Sequence, residues 1–276
     1  SVPEQTIQKI LYSIDEPTTD IIEISGEIGT GKTFTSVYIS DILNEQGYTT
    51  YYCGANPLSF GRYMKKLVSS VTEVKPRTEA EALDYFDELV EAIRERNDGK
   101  AQLVLFFDEA HEYSREMLER IRQLSNENTV AAHKIVSIIL VGQPELRERT
   151  RKIKQLFTRI KIRQYLNYLS PEDIEPYIRF KLNAATNGSY PLNPFETLYQ
   201  DLYRVSQGMP RFLNSICEAL LTMAAEENIR QIPREMLKRF EESPEFREYL
   251  QDIGADQLAS DHDGVEEEGG LDSCDQ

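Results

Sequence analysis

Eight residues constrain this chain more than any others. Gly26-Glu27-Ile28-Gly29-Thr30-Gly31-Lys32-Thr33 fills every required position of G-x-x-x-x-G-K-[ST]. The flanks suit it. Asp20 to Ser25 is a short β-branched run that predicts a strand, and Phe34 to Gln46 predicts a helix closed by Gly47. Strand, glycine turn and helix N-terminus together make an anion site, because backbone N–H groups converge and the helix dipole adds positive charge. The glycines let the backbone curl without Cβ clashes. The pattern predicts that Lys32 reaches the β- and γ-phosphates of a nucleotide and that Thr33 holds Mg²⁺ through its hydroxyl. Phe34, the first residue beyond the motif, joins Gly26 to Thr33 in the expected nucleotide-binding set.

A second acidic site completes the first. Leu103-Val104-Leu105-Phe106-Phe107 is wholly apolar, as expected of a central parallel strand covered on both faces. Asp108 and Glu109 follow at its C-terminal end. Nucleotide hydrolysis needs one carboxylate to anchor the metal shell and another to orient the attacking water. Adjacent positions at a strand end supply both, because successive side chains diverge. Asp108 is therefore assigned to the metal and Glu109 to the water.

The rest of the chain alternates strand and helix to about residue 166. Tyr48 to Cys53, Ile135 to Val141 and Ile160 to Tyr165 read as strands, and Phe60 to Val71 and Ser114 to Asn126 as helices. Thr78 and Glu81 are spaced as a capping box for a helix reaching about Asn97. From Ser170 only helices are expected, starting at Ser170-Pro171, Asn193-Pro194, Pro210 and Pro233. The domain reading is an N-terminal helix in 1–19, an α/β nucleotide-binding core in 20–166, a helical lid in 167–252 and an acidic tail in 253–276 that is expected to be disordered.

Charge and cysteines bound the setting. The formal net charge is −16, but the segment after Gln251 carries nine acids and no Lys or Arg, so the folded part is nearer balance. Net acidity thus argues only weakly against a nucleic-acid partner. Cys53, Cys217 and Cys274 are odd in number and widely spaced, which suggests reduced thiols. With no basic-then-apolar leader and no apolar run long enough for a bilayer, a cytoplasmic protein without direct membrane insertion is expected.

The ordered motifs resemble those of AAA+ ATPases, particularly the group shared by GspA/ExeA-type secretion ATPases and the transposition ATPases MuB and TniB. The matching text is Gly26–Thr33, Val104–His111, Val141–Arg147, Leu156–Ile160, Leu169–Asp173 with Tyr177-Ile178, and Gly208–Asn214. The resemblance implies a P-loop NTPase of the AAA+ kind, with a parallel sheet sandwiched by helices and a small all-α lid. It implies ATP and Mg²⁺ as ligands and an ATP-dependent ring or filament of the chain itself. It assigns Gln143 to sensor 1, Arg159 to a finger inserted by a neighbouring subunit, and Arg211 to sensor 2 on the lid, where it contributes to nucleotide binding and catalysis. Asn56 is similar to a residue that restrains the catalytic Glu.

Departures narrow the role. The segment before the phosphate loop is shorter than in secretion ATPases, and neither a peptidoglycan-binding module nor a winged helix is evident. Asp108-Glu109-Ala110-His111 is not read as a helicase box, and His111 is given no catalytic part. The basic stretch favours a DNA-associated ATPase of the transposition or target-selection kind, with an assembly ATPase for a secretion or pilus complex and a nucleotide-gated regulator as the alternatives. A transposase or a secretion complex is the corresponding protein partner. The basic stretch at 147–163 is either a solvated face with interface arginines or a surface for the phosphate backbone of double-stranded DNA.

Overall fold

A computed structural model of the chain describes residues 2–16, 21–53, 60–72, 85, 88, 103–126, 136–186 and 193–252. The chain divides into two compact units, Ser1–Asn167 and Tyr168–Gln276. The helix expected from Thr78 to Asn97, apart from residues 85 and 88, lies outside the described residues, as do Asn56 and the acidic tail.

The first unit is built on strands β1 (Ile21–Gly26), β2 (Thr49–Cys53), β3 (Leu103–Phe107), β4 (Val136–Gly142) and β5 (Ile160–Leu166), in the order β2-β3-β4-β1-β5. All pairings are parallel. The three inner strands are buried at every position and the outer two are not. That is why β3 reads as a continuous apolar run and β1 and β4 as nearly so, while β5 alternates with charges.

Strand alternation sends successive side chains to opposite faces. Leu103, Leu105 and Phe107 pack on one face with Ile138 and Leu140, against Tyr63 and Leu67 of α3 (Phe60–Thr72) and Leu118 and Ile121 of α4 (Arg115–Leu124). Val104, Phe106 and Ile139 pack on the other, against Ile10 and Ile14 of α1 (Val2–Asp15) and Ile39 and Leu43 of α2 (Lys32–Glu45). Two short helices, α5 (Glu145–Arg151) and α6 (Lys154–Arg159), add Leu146 and Leu156 to the first face. They replace the single basic stretch expected between β4 and β5. No helix among the described residues is long and apolar enough to cross a membrane.

One charged side chain breaks the apolar pattern of β1. Glu23 is 1% exposed; its Oε2 accepts from Thr150 Oγ1 at 3.2 Å, and its Oε1 has no hydrogen-bond partner. Burial pushes its pKa up, while Arg163, Thr150 and Arg147 act the other way.

The second unit is helical: α7 (Ile174–Thr186), α8 (Tyr199–Ser206), α9 (Pro210–Glu226), α10 (Arg234–Glu241) and α11 (Pro244–Asp252). The helix start expected at Asn193-Pro194 is instead a turn. Asn193 Oδ1 accepts from the Phe195 N–H at 2.9 Å, and the helix begins only at Tyr199. An Asx side chain competes with the helix for backbone donors in this way. Ser170 does open its helical segment, but through a 3₁₀ turn at Pro171–Asp173, with its N–H and hydroxyl both donating to Asp173 Oδ2. Gly208 sits at a close backbone approach in this unit. Its φ is +72°, and a Cβ there would sit 2.1 Å from the Leu169 carbonyl oxygen.

Two outcomes follow. Gly208→Ala should cost the second unit more than about 2 kcal/mol in urea unfolding, from left-handed strain plus the clash; an unchanged midpoint would contradict the close approach. Glu23 carries a raised folded pKa, so its contribution is fully present below the unfolded value of 4.5 and is lost as pH rises through the folded value. Glu23→Gln should therefore match the wild-type urea midpoint at or below pH 4.5 and exceed it at about pH 8. A difference independent of pH would contradict the burial cost.

Candidate nucleotide site

The phosphate loop joins β1 to α2. Gly29 and Gly31 hold φ of 80° and 86°, the left-handed region that glycine enters without strain. Gly31 is the N-cap of α2, which has no side-chain cap and no acid in its first turn. The first N–H groups of that helix are thus directed into the loop without a competing side chain. Ile28 and Phe34 show exposed side chains, at 50% and 56%, so what they offer a phosphate is backbone N–H.

Lys32 lies at the centre. It is 8% exposed, and its Nζ donates to the Gly26 and Glu27 carbonyls, each at 2.8 Å. Burial lowers its pKa; Glu109, Asp108, Glu27 and Glu145 partly offset this as surrounding charges. Thr30 Oγ1 braces the same loop by donating to the Glu27 carbonyl at 2.9 Å.

The structure brings Asp108 and Glu109 to this loop. Thr33 Oγ1 donates to Asp108 Oδ2 at 2.9 Å, and the Glu109 N–H donates to Asp108 Oδ1 at 2.9 Å. Glu109 has φ of +49°, a conformation uncommon for a non-glycine residue and often kept at functional sites. The residues fit magnesium. A threonine hydroxyl and a carboxylate are hard oxygen donors, and so small a protein set leaves the other positions to phosphates and water. Among the described residues no group of three or more His, Cys, Asp or Glu side chains gathers to hold a metal unaided.

Gln143 stands just beyond the end of β4, and its N–H faces His111 Nδ1 at 3.4 Å. The same nitrogen lies 3.3 Å from Glu109 Oε2. His111 thus bridges two expected site residues, a link that depends on a contact between β4 and the turn after β3.

Arg159 is not among these residues. Arg159 Nη1 donates to the Ser125 carbonyl and hydroxyl, at 3.2 and 2.9 Å, at the C-terminal end of α4. The length of α4, about 15 Å, separates that end from Ser114 beside the acidic turn. Arg211 belongs to the second unit and lies exposed in the first turn of α9, after Pro210 at N1.

One contributor had no motif to announce it. Tyr52 donates to Asp108 Oδ2 at 2.5 Å. Burial, then Asp108, raises its pKa well above the usual value of 10, so the hydroxyl keeps its proton.

Residues 16–150 match the family model described as an AAA domain. The chain is 30% identical over 203 residues to the general secretion pathway protein A of Aeromonas hydrophila, across 73% of this chain but 36% of that protein. Among solved structures it is similar to ORC2 of Aeropyrum pernix in ADPNP–ADP complexes, at TM-score 0.60 and 16% identity over 86% of this chain and 66% of that one. It is also similar to Cdc6p of Pyrobaculum aerophilum, at TM-score 0.63 and 18% identity over 84% and 64%.

The chain has the P-loop AAA+ fold. These matches support an AAA+ ATPase. The chain spans about a third of the length of the Aeromonas protein and about two thirds of each archaeal chain. Within the AAA+ fold, the loop after β1 and the acids after β3 stand at the carboxyl ends of two parallel strands that flank β4, where open α/β sheets bind ligands.

Proposed function

We propose that the protein binds and hydrolyses ATP with Mg²⁺ and works as an oligomer. The observation that carries this reading is the Thr33–Asp108 hydrogen bond beside a buried Lys32, which joins the phosphate loop to the acidic turn. The metal would supply charge neutralisation at the transferred phosphate. Thr33 and Asp108 hold its position, Lys32 exchanges its loop carbonyls for phosphate oxygens, and Glu109 orients the attacking water. Gln143 reports the end of the phosphate chain to β4. Residues 20–166 serve as the nucleotide core and 167–252 as the lid.

Arg159 completes a neighbour's site. Its engagement at Ser125 keeps it out of the acidic cluster of its own chain, which supports action in trans. Turnover would then rise with protein concentration, and a finger of this kind is worth about 10³-fold or more.

For the output, similarity to a secretion-pathway protein supports an assembly ATPase with a secretion-complex partner. A second reading, a DNA-associated ATPase of the transposition kind, rests on α5 and α6, where Arg147, Arg151, Lys152 and Lys154 are exposed. Duplex DNA that stimulates turnover with steep salt dependence would select the second reading. Indifference to DNA would leave the first.

The site reading predicts a split between two variants. Lys32→Ala should lose nucleotide binding. Glu109→Gln should keep it and slow hydrolysis by about 100-fold or more. Wild-type turnover in either variant would remove the assignment.

A further inference from the structure

Tyr52 lies on β2, opposite Phe106 of β3 in register. Its ring stacks on Phe106, with centroids 5.7 Å apart and planes 23° from parallel. That stack carries the hydroxyl past the strand end to Asp108, where it donates at 2.5 Å. The same carboxylate oxygen accepts from Thr33, and the other accepts from the Glu109 N–H. Both oxygens of Asp108 are therefore committed, one to side chains of β2 and α2 and the other to its own turn. Asp108 is 5% exposed, so water has little access to substitute for a missing donor.

We propose that Tyr52 is a positioning residue for magnesium, acting through Asp108. This rests on the Mg²⁺–nucleotide reading of the site. Thr33 can offer a lone pair to a cation while its O–H still donates to Asp108, so Thr33 alone would leave the carboxylate with a donor that is itself shared with the metal. Tyr52 is a donor with no such second task. It is anchored by a ring stack on the sheet, and it holds the carboxylate at one angle as the cation arrives and leaves. Partners of this sort commonly shape metal affinity as much as the ligands themselves do. Its neighbour Tyr51 points to the other face of the sheet, where it packs edge-on against Tyr63, 5.6 Å between centroids. The pair therefore offers an internal comparison: same strand, opposite faces, one hydroxyl on the acid and one not.

The test measures binding of a fluorescent ADP analogue while Mg²⁺ is titrated, and again in EDTA. Wild type, Tyr52→Phe and Tyr51→Phe are compared. Phe keeps the stack on Phe106, and a thermal melt of each variant reports the fold. Tyr52→Phe should need about tenfold more Mg²⁺ for half its effect. Its affinity for the analogue in EDTA should stay within about twofold of wild type, since no phosphate contact is lost. Tyr51→Phe should titrate as wild type. A Tyr52→Phe curve that overlays wild type would overturn the proposal. So would an equal loss of affinity in EDTA, which marks a structural role. If wild-type binding itself ignores Mg²⁺, the metal reading of the site falls, and this inference with it.

Discussion

A buried ammonium with nowhere else to go organises this molecule. Lys32 has left most of its water behind, and two main-chain carbonyls of the loop that precedes it receive its protons. A cation in that position is costly unless it stays hydrogen-bonded. The loop carbonyls meet that need provisionally, and they also draw the glycine turn closed around the side chain. Phosphate oxygens are stronger acceptors for the same protons. On the proposed reading the loop is a preformed cradle whose central contact exchanges as an anion loads and leaves.

The sheet supplies the second half of the arrangement. Parallel pairing of β1 with β4, and of β4 with β3, brings the ends of β1 and β3 to one edge though they are far apart in sequence. Thr33 and Asp108, separated by 75 positions, meet there at 2.9 Å. Full burial of the inner strands gives the edge its rigidity, since well-packed interiors deform little. Around the acidic pair the chain has placed Tyr52 of β2 against Asp108, and His111 of the turn after β3 between Glu109 and the Gln143 N–H.

Much of this was legible beforehand, for identifiable reasons. The loop motif has fixed spacing and a local mechanism, and the apolar run at Leu103–Phe107 could only be an inner strand, so Lys32, Thr33, Asp108 and Glu109 could be named from text. Tyr52 could not. Its part depends on β2 pairing with β3 in a register that sets it across from Phe106, a non-local fact. Glu23 was hidden in the same way: within Ile21–Gly26 it looks like the polar member of an amphipathic strand, yet the cover of α5 makes it a buried carboxylate bound to Thr150. At Asn193-Pro194 the helix-start signal was overridden by the Asn side chain, which captures a backbone donor for a turn. Helix α11 carries no distinctive start beyond Pro244, and its apolar residues Phe246, Tyr249 and Leu250 are recognisable as a packed face only against Phe240 and its neighbours.

A crystal structure of the protein grown with ADP and Mg²⁺ bears most directly on the exchange at Lys32. It should show Nζ released from the Gly26 and Glu27 carbonyls and bonded to phosphate oxygens, with the metal at the Thr33 hydroxyl and Asp108 still bonded to Thr33. Nucleotide bound elsewhere, or Nζ still on the two carbonyls with the loop filled, would contradict it.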